Sequence, residues 1–253
     1  MGEAILAGAL ARGVLDASNV TVVDIVPERL AELTERYGVR TTQDAASAAR
    51  DAGAVVVAVK PQDLKSASGS VPPDALLISI MAGVTIRAIR DAFGHDRIVR
   101  VMPNTPAAVL AGMSAWTATD AVSDGQRAFA RDLLAAIGEE LYLPDEEKLD
   151  MATAVSGSGP AYVFLFIEAM IEGAVKVGLP RAQAEVLVRQ TLLGSAQYAR
   201  DSGRSAADLR AMVTSPGGTT AAGLLELERA GFRAALIDCV EAAFERAQEL
   251  GAS

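Results

Sequence analysis

The chain has 253 residues, 51% hydrophobic and 22% charged, enough for one large or two ordinary domains around a sizeable core. Its net charge is −9 and it has no basic run, which argues against nucleic acid or an anionic membrane surface as partner. Cys239 is the single cysteine, so an internal disulfide is excluded and the cytoplasm is the expected compartment. The sequence reads without a signal peptide and without an apolar run of transmembrane length.

The first helical pattern covers residues 3–12. Apolar, β-branched runs at 20–24, 54–58, 76–80 and 98–102 then predict strands, with helical patterns between them at 27–37, 44–52 and 85–93. Strand–helix alternation with short connections predicts a Rossmann-like, doubly wound α/β sheet, parallel and covered on both faces. Runs at 114–117 and 141–143 finish the sheet, with a helix at 124–137 between them. From Asp145 onward only helical periodicity remains, at 146–155, 159–177, 181–201, 206–213, 219–230 and 231–250. Residues 1–145 are therefore expected to form a dinucleotide-type domain and residues 146–253 an all-helical one. Helix 159–177 is apolar nearly all round, which predicts burial on most sides and, in so short a chain, a subunit interface.

A sheet of this kind binds dinucleotides at the carboxyl ends of its strands. The expected Gly-x-Gly-x-x-Gly run is absent as a whole. Met1-Gly2-Glu3-Ala4 resembles its last part, which would put the first strand and first two glycines upstream and leave a gap or distortion beside 20–24. Asp24 ends the next strand. It either accepts from ribose hydroxyls, favouring NADH, or caps an ordinary turn, while Arg29 nearby offers a cation for a 2′-phosphate. Lys60 follows a strand directly and is either a site residue or a solvated loop lysine. His95, the only histidine, reads as a solvated loop residue. No cluster has metal-ligand spacing, so no metal is expected. In 213–228, Ser215-Pro216 breaks a helix and Gly217-Gly218 leads into another that starts at Thr219-Thr220. That start is either a Thr-capped helix or an anion site made of free amides.

Five motifs occur in order: Val59-Lys60-Pro61, Ala82-Gly83-Val84, Met102-Pro103-Asn104-Thr105-Pro106, Ser156-Gly157-Ser158-Gly159-Pro160-Ala161-Tyr162 and the run 213–228. Together they resemble the pyrroline-5-carboxylate reductase family along essentially the whole chain. The resemblance implies reduction of L-1-pyrroline-5-carboxylate to L-proline, in proline biosynthesis, with NADPH or NADH as cofactor. It also implies a homodimer, alone or assembled further. The dinucleotide pattern offers Met1, Gly2 and Asp24 as cofactor contacts, and the resemblance adds Val59, Lys60, Pro61, Ala82 and Asn104. Substrate contacts fall to Val213, Ser215, Gly218, Thr219 and Thr220, with Thr220 as the catalytic hydroxyl. The alternatives are another two-domain imine- or keto-acid reductase of the β-hydroxyacid dehydrogenase type, or a catalytically impaired dimeric relative.

Overall fold

A computed structural model describes residues 1–67, 69 and 71–252. The chain forms two compact units: Met1–Pro160 with Ala243–Ser253, and Ala161–Ala242.

The first unit opens with α1 (Gly2–Ala11), β1 (Thr21–Val23), α2 (Pro27–Tyr37), β2 (Arg40–Thr42), α3 (Ala45–Ala49) and β3 (Ala54–Val57). It continues with α4 (Leu64–Ala67), β4 (Leu76–Ser79), α5 (Ile86–Phe93), β5 (Ile98–Pro103), β6 (Gly112–Ala118), α6 (Asp124–Ala135), β7 (Gly138–Tyr142) and α7 (Glu147–Ala152). Local chemistry sets several boundaries. Pro27 occupies the first turn of α2, where its missing N–H costs nothing. Thr85 caps α5 by accepting from the Ala88 amide at 3.2 Å. Ser123 and Gln126 form a reciprocal capping box at the start of α6. Every residue of β4 is buried, as a strand covered on both faces requires.

The strands divide into two sheets. One is β1 parallel to β2, and the other has the order β3-β4-β5-β6-β7. β3, β4 and β5 run parallel, but β6 pairs antiparallel with β5, and β7 then runs parallel to β6. The expectation of a wholly parallel sheet is corrected at that point. Only the short turn around 105–109 separates β5 from β6, too little chain for a crossover, so β6 must return antiparallel. β2 was also absent from the sequence reading, because Arg-Thr-Thr carries no apolar run.

Among the described residues no ladder joins β1 to β3, which is the gap expected beside residues 20–24. α1 ties the two sheets together instead. Ile5 and Ala9 pack into the core of Leu76, Ile78, Val99 and Leu134. Leu6 and Leu10 pack with Val20, Val22, Leu33 and Val39. A helix apolar on every side suits this double role.

Two ionic networks add to that packing. Glu3 on α1 accepts from Arg29, from Arg36 Nη1 at 3.0 Å and from Tyr37 Oη at 2.9 Å, all on α2. The Tyr37 hydroxyl, and after it the two guanidinium groups, hold the Glu3 carboxyl below its usual range. Arg100 on β5 is buried; its Nη1 donates to Glu146 at 2.8 Å and its Nη2 to Asp150 at 3.2 Å. Glu146 also accepts from the Ile86 amide at 2.7 Å, so one carboxylate joins the start of α5 to the start of α7.

The second unit contains most of α8 (Gly159–Lys176), then α9 (Arg181–Asp201), α10 (Ala206–Met212), α11 (Thr219–Arg229) and the first half of α12 (Phe232–Ala252). Its buried apolar cluster is small, centred on Ile171, Ala184 and Val188. Large apolar side chains stay exposed instead, among them Phe164, Val186, Leu193 and Ile237, with Leu165 at 67% exposure.

The sequence reading placed two helices at 146–155 and 159–177 and no apolar run of transmembrane length. This is corrected: α7 and α8 are joined by one turn of π-helix, Thr153–Gly157. The resulting run, Glu147–Lys176, is long and apolar enough to cross a membrane by length and composition. The π turn is closed by its own bond and held from outside by Asn104. The Ser158 amide donates to the Thr153 carbonyl at 2.8 Å, and Asn104 Nδ2 donates to the Ser156 carbonyl at 3.1 Å. Asn104 is 52 residues away from Ser156, so local periodicity could not reveal that support.

Two outcomes test these networks. Arg100→Met leaves two carboxylates facing each other without their cation; stability should fall by about 2–3 kcal/mol, read from the urea midpoint. Glu3 has a folded pKa below its ordinary 4.5, so its contribution is complete above that pH and is lost as pH falls through the folded value. Glu3→Gln should therefore melt below the wild type at pH 7, and the difference should close as melting is repeated below pH 4.5.

Candidate active site

The parallel strands β3, β4 and β5 bring their carboxyl ends to one sheet edge. Val59, Lys60 and Pro61 follow β3, Ala82 follows β4, and Asn104 follows β5, so the sheet gathers these candidates as the sequence predicts. Ala82 is exposed, and Val59 and Lys60 are open to solvent. Lys60 caps the turn at Pro61–Asp63, its carbonyl accepting from the Asp63 amide at 2.9 Å.

Asn104 already has work within the protein. Its Nδ2 donates to the Ser156 carbonyl and its Oδ1 accepts from the Met113 amide at 2.8 Å. The side chain therefore fastens the π turn to the sheet edge, and one amide hydrogen remains for any bound molecule.

α1 begins at the same edge. A Cβ on Gly2 would lie 2.9 Å from that of Ala58, so only glycine lets the helix start so close to the end of β3. Met1 is the N-cap residue, exposed, and its carbonyl accepts from the Ile5 amide at 3.2 Å. No side chain caps the first turn, so its amides remain available to an anion. Asp24 lies just past β1, in the smaller sheet. Its Oδ1 accepts from the Val26 amide at 2.9 Å, so the turn-capping reading is realised. A carboxylate in that role keeps acceptor capacity for a ribose hydroxyl.

His95 is corrected from a solvated loop residue. It is buried, and its Nε2 donates to the Ala75 carbonyl at 2.9 Å, closing the loop onto the start of β4. The polar neighbours Gly94 and Asp96 concealed that burial. Among the described residues no group of His, Cys, Asp or Glu could hold a metal ion.

The remaining candidates lie in the helical unit. Val213 ends α10 and is exposed. Gly217 has φ +70°, and Gly218 is the N-cap of α11. Ser215 Oγ occupies the space that a Cβ on Gly218 would need, so both glycines are required for this entry into the helix. The Gly218 amide donates to the Ser215 carbonyl at 3.1 Å, and Ala222 is the first residue to bond back to the Gly218 carbonyl, also at 3.1 Å. No side chain caps the amides between them. Thr219 and Thr220 stand in that first turn, and among the described residues neither hydroxyl has a partner. Of the two sequence readings, the Thr-capped helix is thus not formed: the cap position belongs to Gly218.

The sequence reading missed Glu3. Its signal was present, since Arg29 and Arg36 are seven residues apart on α2 and share one face with Leu33. Only the approach of α1 to α2 shows what they share.

Residues 146–250 match a family model described as pyrroline-5-carboxylate reductase dimerisation. Residues 1–83 match one described as NADP oxidoreductase, coenzyme F420-dependent. A Synechocystis pyrroline-5-carboxylate reductase is 43% identical over 99% of this chain and 95% of its own length. The Escherichia coli enzyme of that name is 39% identical over 100% and 96%. Among solved structures, the Coxiella burnetii pyrroline-5-carboxylate reductase superposes with a TM-score of 0.91 at 37% identity, covering 98% of this chain and 94% of the other. A Plasmodium falciparum pyrroline carboxylate reductase with NADP bound gives 0.87 at 31% identity, covering 99% and 94%. On identity sustained along its whole length, the chain belongs to the pyrroline-5-carboxylate reductase family.

Proposed function

We propose that this protein reduces L-1-pyrroline-5-carboxylate to L-proline with NADPH or NADH. Family membership sets the reaction, and the observation that carries it to particular atoms is the uncapped start of α11 with its two unpartnered threonines.

The cofactor fits the first unit by its donor set. An uncapped helix start at Gly2 suits a pyrophosphate, and a carboxylate at Asp24 suits a ribose. Val59, Lys60, Pro61, Ala82 and Asn104 line the sheet edge where the rest of the molecule would lie. Bound there, the nicotinamide supplies hydride to the imine carbon.

The substrate carboxylate is held by the amides of Thr219 and Thr220, with Val213, Ser215 and Gly218 shaping the approach. The segment between Arg210 and Arg229 contains no lysine or arginine, so the helix start itself supplies the positive end. The Thr220 hydroxyl donates to the imine nitrogen, and this bond strengthens as the nitrogen gains electrons. Threonine is too weak an acid to give up its proton unaided. The proton comes through a water relay, or the substrate binds already protonated.

Residues 1–145 form the cofactor domain in this reading and 146–253 the substrate and dimerisation domain; the family match beginning at residue 146 supports that boundary, whereas the compact units divide at Pro160 and count Ala243–Ser253 with the sheet. The partner is a second copy of the chain, which would cover the exposed apolar side chains of α8 and α9. Nucleic acid and membrane are not partners in this reading, given the net charge of −9. The lone, unpaired Cys239 supports a cytoplasmic setting.

The test is oxidation of NADPH and NADH by the purified protein with L-1-pyrroline-5-carboxylate; turnover of neither would overturn the proposal. Thr220→Ala should lower kcat on the order of 10²-fold with a much smaller change in KM. Light scattering at micromolar concentration should give a dimer or a multiple of it, and a monomer would refute the second-copy assignment.

A further inference from the structure

We infer that Glu3 is a specificity-determining residue: by holding Arg29 and Arg36 it withholds both cations from a 2′-phosphate and turns the cofactor site toward NADH. The inference rests on the cofactor assignment above.

In dinucleotide folds the acid at the end of the second strand faces the adenosine ribose, and an arginine nearby accommodates a 2′-phosphate when one is present. Here Asp24 directly follows β1 and Arg29 stands in the first turn of α2. Arg29 is the cation in place for that task, yet each of its terminal nitrogens already donates to a carboxylate. Nη2 donates to Glu3 Oε2, and Nη1 donates to Glu32 Oε2 at 2.8 Å. Two of its five N–H groups, one on each terminal nitrogen, are thus turned to carboxylates, and a phosphate must compete with these for the guanidinium. Arg36, in the last turn of α2, is drawn to Glu3 Oε1 at 3.0 Å, and Tyr37 Oη fixes that same oxygen at 2.9 Å. Glu3 is thus held from three sides, which keeps it from swinging away when a competing anion arrives.

The charge balance points the same way. Glu3 and the stretch from Asp24 to Arg36 carry five acids, Glu3, Asp24, Glu28, Glu32 and Glu35, against two arginines. A dianion entering this surface must break an ion pair and also meet a surplus of like charge. A ribose hydroxyl meets neither obstacle and can donate to Asp24. Glu3 sits directly after Gly2, so a single first turn would serve the pyrophosphate through its amides and the discrimination through its side chain.

Binding, measured by nicotinamide fluorescence at equilibrium, tests this without reference to turnover. The wild type should bind NADH more tightly than NADPH. Glu3→Gln should shift the ratio of dissociation constants toward NADPH by about three- to fivefold, the upper end of one exposed charge interaction. Adding Arg29→Gln to Glu3→Gln should restore the wild-type ratio, because the freed cation is then gone. A purely structural role for Glu3 would weaken both cofactors alike and leave the ratio in place. If Glu3→Gln fails to fold, Glu32→Gln on the exposed side of α2 should move the ratio in the same direction. A wild type that prefers NADPH overturns the inference, as does a ratio that stays within about twofold in every folded variant. Absence of binding by either cofactor to the wild type overturns the cofactor assignment and this inference with it.

Discussion

One helix holds the first unit together. β1 and β2 form a sheet of their own, and the five-stranded sheet begins at β3. Without a shared ladder, the cohesion of the two rests on side-chain packing. α1 provides it by burying Ile5 and Ala9 on one side and Leu6 and Leu10 on the other. Burying apolar surface is non-directional, so it can join sheets whose hydrogen-bonding edges never meet. The Glu3 ion pairs then add the direction that packing lacks, setting α2 against one side of α1. Placement of the candidate cofactor residues depends on this arrangement, since Gly2 meets the end of β3 while Glu3 meets α2.

Much of this was legible in the sequence because local patterns and tertiary roles agreed. The β-branched runs ending near Ala58 and Met102 became strands whose following candidates reached one sheet edge, and the run ending near Asp24 became a strand of the smaller sheet. The glycine pair before Thr219 became the helix entry that the motif implied. The failures share a different physical origin. β2 consists of Arg40, Thr41 and Thr42, which extend only because β1 lies beside them. β6 reverses direction because of the short connection before it. His95 looks solvated beside Gly94 and Asp96, and its burial depends on a carbonyl twenty residues away. For β2 and His95 the deciding partner lies outside the window in which periodicity is read; for β6 the short connection was in plain view but the strand periodicity carries no direction.

The two units stabilise themselves by different means. The sheet unit owns its core, with Leu77, Ile98, Leu134 and Ile137 fully buried, and a charged residue in that interior is matched by carboxylates, as Arg100 is. The helical unit buries Ile171, Ala184 and Val188 and leaves larger side chains uncovered. A fold of this kind defers part of its hydrophobic stabilisation to assembly, which makes its apparent stability concentration-dependent.

The π turn at Thr153–Gly157 gives the chain a phase shift. Each helical residue advances the side chains by about 100° around the axis, and the wider π turn absorbs close to one extra residue without breaking the rod. Deleting one residue within 153–157 would let the helix close into a regular α-form and would rotate every side chain of α8 by roughly that angle. The length of this single turn, more than its composition, would then decide which residues α8 offers to a second copy of the chain.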